Sequence, residues 1–188
     1  MIPDAPLKYN AGQFGDRLDV AVALGEFVSR WSLAEMSLMM PMILATGMSQ
    51  ETASAALYSA NSTEAKIGIV KNVVENSLLE DDSKRRIKSA LNCLLSLCPQ
   101  RNSLMHHLWA CVPGEDVYTI DYRKSDRQSE RHVVRTPEAV SELANRVVDA
   151  ASGICVAARS SWIPRTGIDA LQARAYLAVQ ARMMAQKA

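Results

Sequence analysis

Residues 14–40, FGDRLDVAVALGEFVSRWSLAEMSLMM, carry the pattern that assigns the chain to the helical class. Apolar side chains recur there every three to five residues, as they do along one face of an α-helix. The expected face consists of Leu18, Val22, Phe27, Trp31, Ala34 and Leu38. Pro41 should end or kink this helix, because proline lacks a backbone N–H and clashes with the preceding turn.

Further helix starts are recognisable along the chain. A short helix is predicted within residues 50–59, and another begins at residues 62–65 (STEA), where a hydroxyl can cap the first turn. A third begins near Ser83, and Thr136, followed by proline, opens a fourth that reaches at least Ala158. The apolar face expected for the helix after residue 62 is Ala65, Ile69, Val73 and Leu78, widened by Ile67, Val70 and Val74.

One part of the chain has the pattern of β-strands. Residues 117–122 and 131–135 flank a polar stretch at 124–130, which predicts a hairpin. Residues 168–186 are rich in Ala, Gln and Arg and predict an amphipathic helix. The expected organisation is a lead-in at 1–13, a helical bundle at 14–160 with the hairpin at about 117–135, and a C-terminal helical tail at 161–188.

Composition bounds the class of protein. With 188 residues, 48% hydrophobic and 22% charged, the chain is expected to form one globular domain. Few Gly (8) and Pro (7) and only 5% aromatic residues argue against an all-β sandwich. The net charge of +1 gives no global signal for nucleic acid, so any such binding must come from a local site.

Location and cofactors are predicted from what the sequence lacks. No basic region precedes an apolar stretch at the N-terminus, and the longest uncharged run, between Glu35 and Glu51, is too short to span a membrane. The four cysteines form no CxxC pair and are expected to be buried, reduced thiols of a cytoplasmic protein. A zinc site can be drawn from Cys93, Cys98, His106 and Cys111. Its spacing fits no usual zinc site, so no metal or cofactor is expected.

Residues 101–109, RNSLMHHLW, combine side chains that carry chemistry on a segment predicted to be helical. The guanidinium of Arg101 is always cationic, and its donors match phosphate oxygens. The imidazole of His106 can exchange a proton near neutral pH. Together they are the minimum set for RNA cleavage without a metal. The 2′-hydroxyl attacks, the histidine moves a proton, and the guanidinium stabilises the charge on phosphorus.

Helix geometry constrains how this pair could work. At about 100° per residue, Asn102, His106 and Trp109 share one face, whereas Arg101 points about 140° away from His106. The pair should therefore not meet side by side on one straight helix. Either Pro99 places Arg101 in an irregular first turn from which its side chain swings round, or Arg101 works with His106 of a second subunit. Asn102 would orient the His106 ring or bind phosphate.

The segment resembles the Arg-[Asn/Asp/His]-x-x-x-His signature of the HEPN (higher eukaryotes and prokaryotes nucleotide-binding) domains. Arg101, Asn102 and His106 occupy its three defining positions. The whole run also resembles the RNxxxHxxW ending of a bacterial and phage HEPN-like group. His107 departs from that group, in which glycine is more usual, so two adjacent imidazoles compete for the catalytic role.

Two other parts of the chain extend the resemblance. The early Trp-x-x-x-Glu helix of that group is matched by Trp31 and Glu35, and its small-polar-Ala-Lys helix start by residues 62–66. The resemblance covers about residues 14–158. It implies an up-and-down four-helix bundle that dimerises, with paired motif segments forming one cleft across the two-fold axis.

The resemblance also implies a function. Members with an intact motif are commonly metal-independent endoribonucleases in toxin–antitoxin and phage-defence systems, whereas others only bind nucleotides or partners. The expectation is a homodimeric endoribonuclease that binds RNA, with an antitoxin or other protein partner and no membrane. His106 would transfer the proton, Arg101 would stabilise the phosphate and Asn102 would orient, with His107 as a second imidazole. The alternative is a non-catalytic dimeric module that binds nucleotide or protein.

Purely structural roles are the competing interpretation of the same residues. Arg101 could cap helix carbonyls, or pair with Glu35 or the acidic turn at residues 80–82. His106 could lie in an interface and His107 on the surface. A structural role is also expected for Trp31, Trp109 and His132.

Overall fold

A computed structural model describes residue 14 and residues 17–111, 117–121 and 132–161. The described residues form seven helices and a three-stranded antiparallel sheet. The helices are α1 (Leu18–Ser37), α2 (Met39–Thr46), α3 (Gln50–Tyr58), α4 (Thr63–Glu75), α5 (Asp81–Leu95), α6 (Cys98–His106) and α7 (Pro137–Ser160). The strands are β1 (Leu108–Cys111), β2 (Val117–Ile120) and β3 (His132–Arg135). The mostly helical class with a small β-element is thereby confirmed.

The helices pack around one apolar core. Helix α7 packs against α1 and α5, and α4 packs against α5 and α2. The largest fully buried side chains include Phe27, Leu38, Ile87, Leu91 and Ile154. None of the described helices combines the length and apolar composition that a membrane span requires. The predicted lead-in at 1–13 and the predicted helix at 168–186 lie outside the described residues.

Local capping explains where two of the predicted helices begin. The Ser62 hydroxyl accepts a hydrogen bond of 3.1 Å from the Ala65 N–H at the start of α4. The Thr136 hydroxyl accepts one of 3.2 Å from the Ala139 N–H at the start of α7. Each cap satisfies an amide that has no partner within its own helix, so both predicted starts are confirmed.

Two predicted apolar faces were partly wrong. In α1, Leu18 and Val22 are 69% and 63% exposed, whereas Val20 is buried. The first turns carry apolar residues on several sides, and packing of Val20 against the sheet selects the buried one. In α4, Ala65 is exposed and the buried stripe is instead Ile67, Val70 and Val74. Leu78 is also exposed, because it lies beyond the end of that helix.

The predicted helix is interrupted just before Pro41, as expected, and Pro41 itself lies at the start of the next helix. Helix α1 ends at Ser37, and α2 begins at Met39, so Pro41 lies in the first turn of α2. A first-turn residue has no intrahelical acceptor for its N–H, so proline loses no hydrogen bond there. Helix α2 ends at Gly47, whose φ of 72° is the left-handed conformation that glycine adopts readily.

The sheet confirms the predicted hairpin and adds a strand. Strands β2 and β3 pair antiparallel, with Val117 opposite Arg135. The prediction of helix through Trp109 was wrong, since β1 covers residues 108–111 and pairs with β2. In this pairing Trp109 lies opposite Thr119. Thr119 is distant in sequence, so no local pattern predicts that it is the partner. Trp109 therefore does not share a helix face with Asn102 and His106.

Candidate active site at the end of helix α6

Helix α6 carries all four predicted site residues to the place where it meets the sheet. It begins at Cys98, with Pro99 in its first turn, and ends at His106, and the extended backbone of the next residue, His107, leads directly into β1. The Trp109 indole donates a hydrogen bond of 2.8 Å to the Leu104 carbonyl and ties β1 to the last turn of α6. The end of the helix is thus fixed against the strand that follows it.

Arg101 and His106 are in direct contact within one chain. Arg101 Nη1 lies 2.8 Å from His106 Nε2. The helix is regular at Arg101, whose N–H donates to the Leu97 carbonyl over 3.0 Å. The long arginine side chain alone makes the approach, so neither the irregular turn nor the second subunit invoked by the sequence argument is needed for contact.

The direction of this hydrogen bond defines the state of the imidazole. A guanidinium has only donors, so His106 Nε2 accepts the proton of Arg101 and carries no proton itself. The His106 side chain is exposed, so a substrate can approach the same nitrogen. The arrangement therefore presents a basic nitrogen and a cation side by side at the surface.

Asn102 holds Arg101 rather than His106. Its Oδ1 accepts from Arg101 Nη1 over 3.1 Å, and its Nδ2 donates to Glu64 Oε1 over 3.1 Å. The position of Asn102 on the His106 face predicted that it would orient the imidazole or bind phosphate. The observed amide instead links the guanidinium to helix α4.

Arg101 has an incompletely satisfied positive charge. Its hydrogen-bond partners are a neutral amide and a neutral imidazole, and its Nε is buried without an acceptor among the described residues. By contrast, Arg17, Arg30 and Arg85 each lie within 4 Å of a carboxylate. A partly buried guanidinium that has spare donors and, among the described residues, no carboxylate in contact attracts an anion.

Glu35, a suggested partner of Arg101, belongs to a separate cluster. Lys66 Nζ lies 2.6 Å from Glu35 Oε2, and Trp31 Nε1 donates to Oε1 over 3.3 Å. The Thr63 hydroxyl donates to the same Oε1. Burial raises the pKa of Glu35, but the hydrogen bonds from Lys66 and Thr63 outweigh it and hold that pKa below its usual value. The prediction that Arg101 pairs with Glu35 is wrong.

The cysteines divide into exposed and buried thiols. Cys93 is exposed, contrary to prediction, whereas Cys98, Cys111 and Cys155 are buried. Burial, with the nearby Glu64 carboxylate, raises the pKa of Cys98 to about 12, so this thiol stays protonated beneath the site. Within the residues that the structure describes, no three His, Cys, Asp or Glu side chains are grouped to hold a metal ion.

His107 belongs to a second polar cluster on the sheet side of α6. Its Nδ1 lies 3.2 Å from Ser103 Oγ, and its Nε2 lies 3.6 Å from Asp121 Oδ2. Arg135 Nη2 donates to Ser103 Oγ over 2.6 Å, and Arg135 Nε donates to Thr119 Oγ1 over 2.9 Å. The His107 side chain is only 13% exposed, so its interpretation as a surface histidine is wrong.

Sequence reasoning missed the partners of His107 in this cluster. Ser103 stands four residues before His107, which is the spacing of neighbours on one helix face. Asp121 and Arg135 flank the predicted hairpin loop, but their approach to α6 depends on how the sheet folds back. Burial lowers the pKa of Arg135, whose contacts are hydroxyl groups.

Comparisons with known proteins give no match from which the role of the site could be inferred. No protein-family model, curated protein or solved structure matches the chain. The HEPN resemblance therefore stays a prediction that rests on the residues quoted for it. His132 lies on β3, opposite Ile120.

Proposed function

We propose that this chain is a metal-independent endoribonuclease that cleaves RNA by attack of the 2′-hydroxyl. The observation that carries the proposal is the 2.8 Å contact between Arg101 Nη1 and His106 Nε2 at an exposed position. It joins a proton acceptor to an anion-binding cation, the two functions that transesterification of RNA requires.

The reaction follows from these two groups. The phosphodiester draws the Arg101 donors onto its non-bridging oxygens, which frees the lone pair of His106 Nε2. That nitrogen takes the proton of the 2′-hydroxyl while the 2′-oxygen attacks phosphorus and the bond to the 5′-oxygen breaks. The leaving 5′-oxygen takes up one proton from an acid or water at the site, so the products are a 2′,3′-cyclic phosphate and a 5′-hydroxyl. Arg101 stabilises the charge that builds on the phosphoryl oxygens.

Asn102 and Glu64 support the cation in this scheme. The amide of Asn102 accepts from Arg101 and donates to Glu64, so the guanidinium is held from the side of α4. Because Asn102 separates the two charges, Glu64 anchors the network without making an ion pair with Arg101. The cation stays free to bind phosphate.

The proposal includes the assembly that the HEPN resemblance implies. Two up-and-down four-helix bundles would place their α6 ends together, and each copy would contribute one Arg101–His106 pair to a shared cleft. Met105 and Leu108, beside the two histidines, are 39% and 42% exposed and would be covered by a second copy. A protein antitoxin could silence such a cleft, as toxin–antitoxin and phage-defence roles require.

Incubation of structured RNA with the purified protein in excess EDTA tests the proposal. The wild type should produce fragments with 2′,3′-cyclic phosphate ends. Arg101→Ala and His106→Ala should each slow cleavage by about 10²–10⁴-fold, the usual contribution of such groups. Arg85→Ala is the matched control, because Arg85 is an exposed arginine paired with Asp82, and it should cleave as the wild type does.

Two results would overturn the proposal. One is cleavage that His106→Ala leaves unchanged. The other is RNA or nucleotide binding without turnover by the wild type, which would favour the non-catalytic binding module.

A further inference from the structure

The second polar cluster is a chain of contacts from Arg135 through Ser103 and His107 to Asp121. Two hydrogen-bond contacts join Arg135 to Ser103 over 2.6 Å and Ser103 to His107 over 3.2 Å, and His107 Nε2 lies at ion-pair distance, 3.6 Å, from Asp121 Oδ2. Ser103 and His107 lie at the end of α6, whereas Asp121 follows β2 and Arg135 ends β3. The cluster therefore exists only because the sheet folds against the helix that carries Arg101 and His106.

The direction of the hydrogen bonds in this chain depends on His107. Arg135 can only donate, so one lone pair of Ser103 Oγ is occupied by Nη2. A His107 with a proton on Nδ1, as in the imidazolium, donates to the second lone pair, and the serine proton must then point to another acceptor. A neutral His107 with its proton on Nε2 accepts the serine proton at Nδ1 instead. The presence of a proton on Nδ1 of His107 thus decides whether Ser103 offers its own proton outward.

The charges around the chain favour the form that offers the proton. The Asp121 carboxylate, 3.6 Å from His107 Nε2, stabilises the imidazolium. The Arg135 guanidinium, hydrogen-bonded to Ser103 Oγ, stabilises the oxygen as it loses its proton. Two further titratable or charged groups share this end of α6, namely His106 and Arg101, and they contact each other.

Ser103 is close to His106. The two residues are three apart at the end of one helix, which places their β-carbons about 5–6 Å apart. One phosphodiester can span that interval with its 2′-oxygen at His106 and its 5′-oxygen at Ser103. Attack in line with the leaving group requires a base and an acid at such opposite ends.

We propose that Ser103 is the general acid of the RNA cleavage reaction and that His107 supplies its proton, held by Asp121. This inference rests on the proposed function. As the 2′-oxygen–phosphorus bond forms, the 2′-hydroxyl proton passes to His106 Nε2. As the bond from phosphorus to the 5′-oxygen breaks, that oxygen takes the proton of Ser103, and Ser103 takes the Nδ1 proton of His107. Ser103 is then a catalytic residue, and His107, Asp121 and Arg135 act through it.

A change of leaving group tests this assignment. In an RNA substrate with sulfur in place of the bridging 5′-oxygen, the leaving group departs as a thiolate and needs no proton. Ser103→Ala and His107→Gln should slow cleavage of ordinary RNA by about 100-fold, at the lower end of general acid catalysis. Both should cleave the sulfur substrate within about threefold of the wild-type rate, because the acid step is dispensable there. His106→Ala should be slow on both substrates.

The outcomes separate this inference from the proposed function. Equal defects of Ser103→Ala and His107→Gln on both substrates would overturn the general acid role, as would wild-type rates on ordinary RNA. Ser103→Thr, which keeps the hydroxyl, should retain most of the activity and guards against loss of fold in Ser103→Ala. A wild-type protein that cleaves neither substrate would overturn the proposed function, and this inference with it.

Discussion

Two polar clusters lie side by side at the start of helix α4, and they differ in how their charges are satisfied. In the one around Glu35, which we call the closed cluster, Lys66 Nζ lies 2.6 Å from the Glu35 carboxylate, and two further side chains donate hydrogen bonds to it, so cation and carboxylate neutralise each other. In the one around Arg101, which we call the open cluster, Arg101 contacts an amide and an imidazole, and the carboxylate of Glu64 is linked to it through Asn102. Helix α4 contributes to both, because Thr63 and Lys66 contact Glu35 whereas Glu64 contacts Asn102.

The comparison separates a structural cluster from a reactive one. Lys66 and Glu35 have side chains only 10% and 16% exposed, and each charge is met by the other. A buried and mutually neutralised pair of this kind presents little charge to a ligand. The Arg101 cluster keeps an exposed basic nitrogen and an unneutralised cation, which is the electrostatic preparation that an anionic substrate requires.

The largest effect on stability is expected at the closed cluster. Glu35→Ala leaves the Lys66 ammonium buried without its carboxylate, which typically costs about 3–5 kcal/mol. Glu75→Ala is the matched control, because Glu75 pairs with Lys88 at 2.8 Å on the exposed surface. Such a pair contributes at most about 1 kcal/mol. Urea unfolding of both variants measures the difference, and equal losses would contradict the structural role of Glu35.

The pH dependence of the unfolding free energy should report the ionisation of Glu35 in the closed cluster. The folded pKa of Glu35 is lowered, so its ionised form stabilises the fold above the pKa of an unfolded glutamate, about 4.3. This contribution is lost as the pH falls through the lowered pKa. The difference in unfolding free energy between wild type and Glu35→Gln should therefore shrink on acidification. A difference that stays constant down to the acid transition would contradict the assignment.

A smaller effect, on the rate of RNA cleavage, is expected from the loss of Asn102, which only positions Arg101. Asn102→Ala removes one hydrogen bond to Arg101, worth about 1 kcal/mol, which corresponds to about a fivefold loss of cleavage rate. Asn92→Ala is the matched control, because Asn92 is exposed and its side-chain oxygen accepts a hydrogen bond from Lys71. Rates of RNA cleavage in EDTA measure both. A loss as large as that of His106→Ala would assign Asn102 to the chemistry itself.

The smallest predicted effect is a difference in chemical reactivity between two cysteine thiols, with no change in folding stability. In the native protein an aromatic disulfide reagent should modify Cys93 rapidly, because it is exposed. Cys98 should not react, since it is buried and burial raises its pKa to about 12. Cys93→Ser should abolish the fast phase. Rapid reaction of Cys98 would contradict its burial.

Much of the helical fold was predictable because its signals are local. Ser62 and Thr136 cap the helices that follow them, and a cap needs only residues within one turn. The buried side of α1 was less predictable, because apolar residues surround its first turns. Leu18 has the helical spacing, but the neighbouring Val20 is the one that the sheet covers.

The candidate site was only partly predictable, for a physical reason. Arg101 and His106 were identified from their chemistry, and the reach of an arginine side chain along one helix accounts for their contact. The strand at 108–111 was missed because its hydrogen bonds come from β2, not from neighbours in sequence. Asp121 and Arg135 reach α6 through that same sheet, so no pattern within one segment could place them beside His107.

The rate of RNA cleavage by His106→Ala in excess EDTA, relative to the wild type, tests the central claim most directly. The account predicts fragments with cyclic phosphate ends from the wild type and a loss of at least about 100-fold in the variant, at unchanged folding stability. Cleavage by the folded variant at the wild-type rate would contradict it.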